Sequence, residues 1–151
     1  MEISALTTAA VRDAFHSVHN NVRGLIQGLD DDALNWKPHP EANSIAVLVT
    51  HTLGSEREML AAVRGIKIPR DRPSEFVVAA NARELSALLD QADAWLDEQV
   101  ASISAGDLSA DRPRGDRPPQ PGLVWLLTNY GHAREHLAQM ELTKQLYGAR
   151  A

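Results

Sequence analysis

The chain has 151 residues, a formal net charge of −5 and no cysteine. That length suits one domain, residues 1–151, with a full hydrophobic core, and the missing thiol excludes disulfides, thiolate metal sites and a cysteine nucleophile. The acidic balance speaks against a nucleic-acid partner, because phosphate binding needs a basic face.

The opening residues MEISALTTAAVRDAF lack the basic and apolar regions of a signal peptide. Charges interrupt every apolar run well short of a membrane span, so no membrane partner and a cytoplasmic location are expected. A first helix is predicted over 4–27, where Val11, Phe15, Val18, Val22, Leu25 and Leu29 recur at three- and four-residue spacing. Gly28 and the run Asp30, Asp31, Asp32 should end it. A second helix, 44–64, starts after Asn43 or Ser44, both good N-caps, and stops at Gly65. Its stripe is Ile45, Leu48, Val49, Thr52, Met59, Leu60 and Val63. Glu56 falls in the middle of that stripe, where a buried carboxylate needs a partner.

The segment from Gly65 to Ala80 reads as a polar crossover, long enough at about 3.3 Å per residue to span a helix length. The third helix, 81–103, carries Leu85, Leu88, Leu89, Ala92, Trp95, Leu96 and Val100. After the low-complexity stretch DRPRGDRPPQPG, read as loop, the fourth runs over 122–147, with Gly148 as a C-cap signal. No convincing strand alternation is present. Four amphipathic helices with long connections predict an all-α four-helix bundle in which the second and third helices can run parallel.

The fourth helix holds the most informative pattern. His132 and His136 stand four apart and project from one face, near enough to share a cation. Looking down this helix, Leu123, Leu126, Tyr130, Ala133, Leu137 and Met140 form an apolar stripe with Leu127 at its edge. Trp125, Asn129, His132, His136, Gln139 and Thr143 form a second line. That line is polar and aromatic, unlike a charged solvent face, and suggests a cavity wall. His51, on the shoulder of the second helix's stripe, would complete a three-imidazole set with open positions, the arrangement of a catalytic metal. His16 and His39 are expected in solvent, and His19, at the core edge, is the one substitute ligand. His132-Ala-Arg-Glu135-His136 also matches H-x-x-E-H, a zinc-protease pattern. Only fifteen residues follow His136, and Glu135 points about 60° off the histidines on the wheel, so a protease is not expected.

These residues resemble a known family. GLDDDALNWKPHPEANSIAVLVTHTLGSE carries a leucine-rich turn, a Trp-Lys-Pro loop and a Ser-Ile start leading to a histidine. ARELSALLDQADAWLDEQV follows the crossover, and HAREHLAQ has two histidines four apart with a glutamine three further on. In order and spacing the chain is similar to the DinB-like, or YfiT-like, metalloenzymes, which are unrelated to the DNA polymerase sharing the first name. It departs from them after the second histidine, where Leu137-Ala138 stands. The resemblance implies a bundle of up-down-down-up order, commonly a homodimer, with one divalent ion per chain on His51, His132 and His136. It also implies relatives such as mycothiol-dependent maleylpyruvate isomerase and bacillithiol transferase.

The expected function is a metal-dependent enzyme acting on a small molecule, as a thiol transferase or a hydrolase. Without cysteine, the first version needs an external low-molecular-weight thiol. Zinc suits three imidazoles plus water, and nickel, iron or manganese are alternatives. Glu56 or Glu58 is a candidate base. Trp125, Asn129 and Gln139 are candidate pocket residues, expected to meet a small anionic or thiol ligand, with Tyr130 as a further wall. The competing expectation is a non-catalytic dimeric metal-binding module.

Overall fold

Helices begin where the sequence supplies caps. Ser44 Oγ accepts from Val47 N at 3.1 Å and starts the helix Ile45–Val63. Asn81 and Glu84 form a reciprocal capping box ahead of Ala82–Ser102. The computed structural model describes residues 2–150, and over them the fold is mostly helical. In chain order the elements are α1 (Ile3–Ile26), α2 (Asp31–Asn35), α3 (Ile45–Val63), α4 (Arg72–Glu75), α5 (Ala82–Ser102), α6 (Ala105–Ser109), β1 (Asp111–Arg114), β2 (Arg117–Pro121) and α7 (Gly122–Ala149). Among the described residues no helix is long and apolar enough to cross a membrane.

The four long helices meet pairwise: α3 packs on α5 and α7, and α1 packs on α5 and α7. Ser55 meets Asn129 and His51 meets His132, so α3 and α7 run in opposite directions. His19 meets Asp93 and Arg23 meets Asp90, so α1 and α5 are also opposed. Arg57 with Trp95 and Arg64 with Gln99 place α3 and α5 in the same direction. Phe15 with Tyr130 and Leu25 with Lys144 do the same for α1 and α7. Between them lie Phe15, Leu34, Ile45, Met59, Leu60, Leu85, Leu89, Leu96, Leu126 and Met140, all fully buried. Each large apolar side chain removed from water contributes about 1.5–3 kcal/mol.

Three parts of the sequence reading need correction. The acidic run after Gly28 does more than end α1. Gly28 turns with φ 79°, and Asp30 then accepts from Ala33 N at 2.9 Å to start α2. The Pro-rich stretch is no featureless loop either: α6 is followed by an antiparallel hairpin, closed by Gly115-Asp116. Gly115 has φ 59°, the left-handed value that the first position of a two-residue hairpin turn demands. Pro113 has no N–H to give the ladder, and the register slips between Arg112 and Arg114. Finally, Gly148 lies inside α7, which continues to Ala149.

Candidate metal centre

His132 and His136, one turn apart on α7, face His51 on α3. His51 Nε2 lies 3.2 Å from His132 Nε2, and His136 Nε2 lies 3.0 Å from the same atom. Three ring nitrogens therefore converge on one point. With metal–nitrogen bonds of ~2.0–2.1 Å, donors at a tetrahedral angle stand about 3.4 Å apart and donors at a right angle about 2.9 Å. The two separations fall within that range, so the donor set fits a divalent ion without selecting one geometry.

Two of the three far nitrogens are tied down. His51 Nδ1–H donates to Glu75 Oε1 at 3.0 Å, and His136 Nδ1–H donates to Gln139 Oε1 at 2.7 Å. Both contacts place the ring proton on Nδ1 and leave the Nε2 lone pair facing the centre, as metal-binding imidazoles require. Burial lowers the pKa of His51, His136 and Arg70 add to that, and Glu75 only partly opposes it. Burial, then His136, His51, Arg114 and Arg117, pull His132 down to about 4. Both shifts favour the neutral ring at His51 and His132, and the inward lone pairs of the cluster crowd one another unless a cation sits between them.

Glu75 is the residue that sequence reasoning missed. It closes the four-residue helix α4, which Asp71 starts by accepting from Ser74 N. Arg70 clamps it with two hydrogen bonds, 2.9 Å to Oε2 and 2.8 Å to Oε1. Gly54 makes the room: a Cβ there would collide with the Glu75 carboxylate. Two signals were available. Asp71-Arg72-Pro73 is a helix start, and a glycine in the middle of a helix, costing about 1 kcal/mol against alanine, hints at a close approach.

The other expected residues are dispersed. Glu56 is buried on the other side of α3, where its Oε2 accepts from His19 at 2.8 Å, so its partner is an imidazole of α1 and it does not meet the triad. Glu58 lies between two guanidiniums, 3.2 Å from Arg114 and 3.5 Å from Arg70. Asn129 is buried and lines a cavity beside His51 and His132, with its Nδ2 donating to Ser55 Oγ. Trp125 donates its indole N–H to Arg112 O at 2.8 Å and lies under Arg114 and Arg117. Gln139 is an exposed partner of His136. Tyr130 packs edge-on against Phe15 in the core.

Two of the remaining histidines also differ from expectation. His16 is not simply solvated: it reaches Asp93 at 2.9 Å and Asp97 at 2.7 Å. His19 is fully buried between Glu56 and Asp93, so it joins a second cluster with His16 and Asp93 instead of substituting in the triad. His39 is exposed, as expected.

The family model described as the DinB superfamily matches residues 14–140. The chain belongs to the DinB superfamily. No curated protein matches the sequence. Among solved structures, a conserved protein from Enterococcus faecalis superposes with a TM-score of 0.78 at 19% identity, over 99% of each chain. A DinB-like protein from Bacillus cereus gives 0.75 at 17% identity over 91% of each chain. A DinB-like protein from Bacillus subtilis gives 0.73 at 18% identity over 93% of each. At such identities the likeness is one of fold.

Proposed function

We propose that this DinB protein is a cytoplasmic, divalent-metal-dependent enzyme acting on a small molecule, with His51, His132 and His136 holding the ion. The observation that carries this reading is the convergence of three Nε2 atoms, with the opposite ring nitrogens of His51 and His136 anchored on Glu75 and Gln139. The pairing and directions of the long helices support reading them as a four-helix bundle of up-down-down-up order, with both ligand-bearing helices side by side.

A bound divalent cation would lower the pKa of a coordinated water or thiol toward neutrality. The protein's own contribution is orientation. Glu75 and Gln139 fix two imidazole rings, Arg70 fixes Glu75, and burial favours the neutral form of His51 and His132. Glu58, held between Arg70 and Arg114, is the candidate base. With no cysteine in the chain, a transferase version takes its thiol from a second small molecule, while a hydrolase version needs only water. Zinc suits three imidazoles best, and nickel, iron or manganese are also accommodated.

The test is elemental analysis of purified protein beside His132→Ala, followed by assay of the metal-loaded form against thiol-plus-electrophile pairs and model esters. About one ion per chain, lost in the variant, is the expected result. Full occupancy in His132→Ala would overturn the ligand assignment. Tight metal without turnover on any pair would favour a non-catalytic module. A homodimer belongs to the same proposal: Leu142 and Leu146 stand exposed on α7, one turn apart, and a dimer mass in light scattering is expected.

A further inference from the structure

Beside the triad lies a cavity of about 90 Å³. Four arginines, Arg70, Arg72, Arg114 and Arg117, line it together with Asn129 and the triad's own His51 and His132. In a chain whose net charge is −5, that concentration of positive charge in one small space is out of keeping with the rest. The nearby carboxylates are too few to neutralise it. Glu75 and Glu58 serve Arg70, and Glu58 also serves Arg114. Arg72 and Arg117 form no salt bridge among the described residues, so two positive charges are left over.

The guanidiniums are held in place. Arg114 is buried at 6% exposure, with Nε on Glu58 and Nη2 on Ser55 O and Oγ at 3.0 and 2.8 Å, which leaves Nη1 without a protein acceptor among the described residues. Arg72 lies 5.0 Å over the Phe76 ring and Arg117 6.0 Å over Trp125. Neither guanidinium donates a hydrogen bond among the described residues, so both keep N–H groups free for an in-plane pair of acceptor oxygens, the geometry of carboxylate and phosphate. A second observation also points to a ligand. Asn129, 2% exposed, has a buried Oδ1 that accepts from nothing, and His132 Nδ1 is likewise buried without a partner. Buried polar atoms left unpaired cost about 1–3 kcal/mol each, so a molecule that satisfies them gains that binding energy.

We propose that this cavity binds the anionic group of a small organic acid or phosphate ester, held by Arg72, Arg114 and Arg117. Asn129 Oδ1 accepts a hydrogen bond from a hydroxyl or amine of the same molecule. The volume is that of about three waters at ~30 Å³ each, enough for a carboxylate or phosphate group but not for a whole larger substrate. The remainder of the molecule extends toward the triad, and this deepens the reading of the triad as a metal centre. The arginine cradle itself stands without a metal.

Titration calorimetry with malonate, inorganic phosphate and the neutral analogue malonamide, on metal-free and zinc-loaded protein, tests it. Saturable binding of malonate or phosphate is expected in both forms, with none of malonamide. Arg72→Gln and Arg117→Gln should each weaken binding about tenfold or more. Preference for malonate marks a carboxylate ligand, and preference for phosphate a phosphate ester. His132→Ala separates the two readings: anion binding that survives while zinc is lost keeps the cradle even if the metal assignment changes. Binding seen only with zinc and unmoved by either arginine substitution would make the anion a plain metal ligand and overturn the proposal, as would no binding of either anion at millimolar concentration. Because Arg72 and Arg117 are exposed, their substitution leaves the core intact, and unchanged circular dichroism would exclude misfolding as the cause.

Discussion

Two histidine clusters lie on either side of α3 and solve opposite electrostatic problems. On the α7 side, three imidazoles face one another with their lone pairs inward, and the pKa values of His51 and His132 are lowered. On the α1 side, His19 is fully buried with a carboxylate on each ring nitrogen, Asp93 at 2.6 Å and Glu56 at 2.8 Å. Burial alone would depress His19, but those two carboxylates outweigh it and raise its pKa. Arg23 adds a second cation on Asp93, whose carboxyl is held below its usual range by His19 and Arg23 against the effect of burial. The α1 cluster therefore supplies its own positive charge, the Arg23 guanidinium and a His19 ring whose protonated form the carboxylates favour. The α7 cluster has donors and no cation of its own. Histidine and nearby acid are common to both, so the pattern His-x-x-His or His-x-x-x-His alone does not say which is a metal centre. What each ring nitrogen faces is where the two clusters differ.

The sharpest way to break the comparison is to count metal. His132→Ala should lose nearly all bound divalent ion, whereas His16→Ala should keep the wild-type stoichiometry, read by elemental analysis after extensive dialysis. Metal lost equally from both would mean that the clusters are not different in kind.

Stability should divide the other way. Glu56 is 2% exposed, and its partner His19 is fully buried. Glu56→Ala leaves an imidazolium with half its compensation in the core, and breaking a buried pair in this manner costs about 3–5 kcal/mol. Urea denaturation of metal-free protein measures it. In the same assay His136→Ala should cost far less, since it relieves crowding among lone pairs. A loss for His136→Ala as large as that for Glu56→Ala would count against the charge argument.

Smaller still is the effect of the groups behind the ligands. Glu75→Gln keeps an acceptor for His51 Nδ1–H but removes the charge, and outer partners of this kind change metal affinity by about 10–100-fold. Gly54→Ala should act in the same direction by displacing the Glu75 carboxylate. Competition with a chromophoric chelator reads both. Affinity unchanged in either variant would make the Glu75–His51 contact incidental to the metal.

The long helices were legible because each repeats an apolar stripe over many turns and is bounded by caps, Ser44 and Asn81 among them. The i, i+4 pair on α7 was legible for the same reason, and so was His51 as its third partner. Elements of four or five residues have no period to read, which is why α2, α4, α6 and the hairpin are not legible in the sequence. Glu75, Arg70, Arg114 and Arg117 lie in or beside those short elements, so the part of the site that depends on crossovers was invisible. Glu56 announced that it needed a partner, but only the tertiary fold, which brings α1 within reach of α3, supplied His19.

The finest test of the two clusters is the pH dependence of stability in metal-free protein between about pH 5 and 8, where histidine, near 6.5, is the only side chain whose ordinary pKa falls within the window. At His19 the folded pKa lies above the unfolded one, so folding favours the protonated ring. Its stabilisation is complete below about 6.5 and drains away as pH climbs through the raised folded value. At His132 the folded value is about 4. As pH falls below about 6.5, the unfolded chain takes up a proton that the folded chain refuses, so stability drops on the acid side. Together the two produce a maximum between the limbs. His19→Gln should flatten the alkaline limb and leave the acid one, and His132→Gln should weaken the acid limb, which His51 shares, and leave the alkaline one. Loading with zinc should steepen the acid limb, since protons then compete with the ion for all three rings. Urea midpoints that fall on the alkaline side to the same extent in His19→Gln as in wild type would show that His19 is not the protonated centre of its cluster.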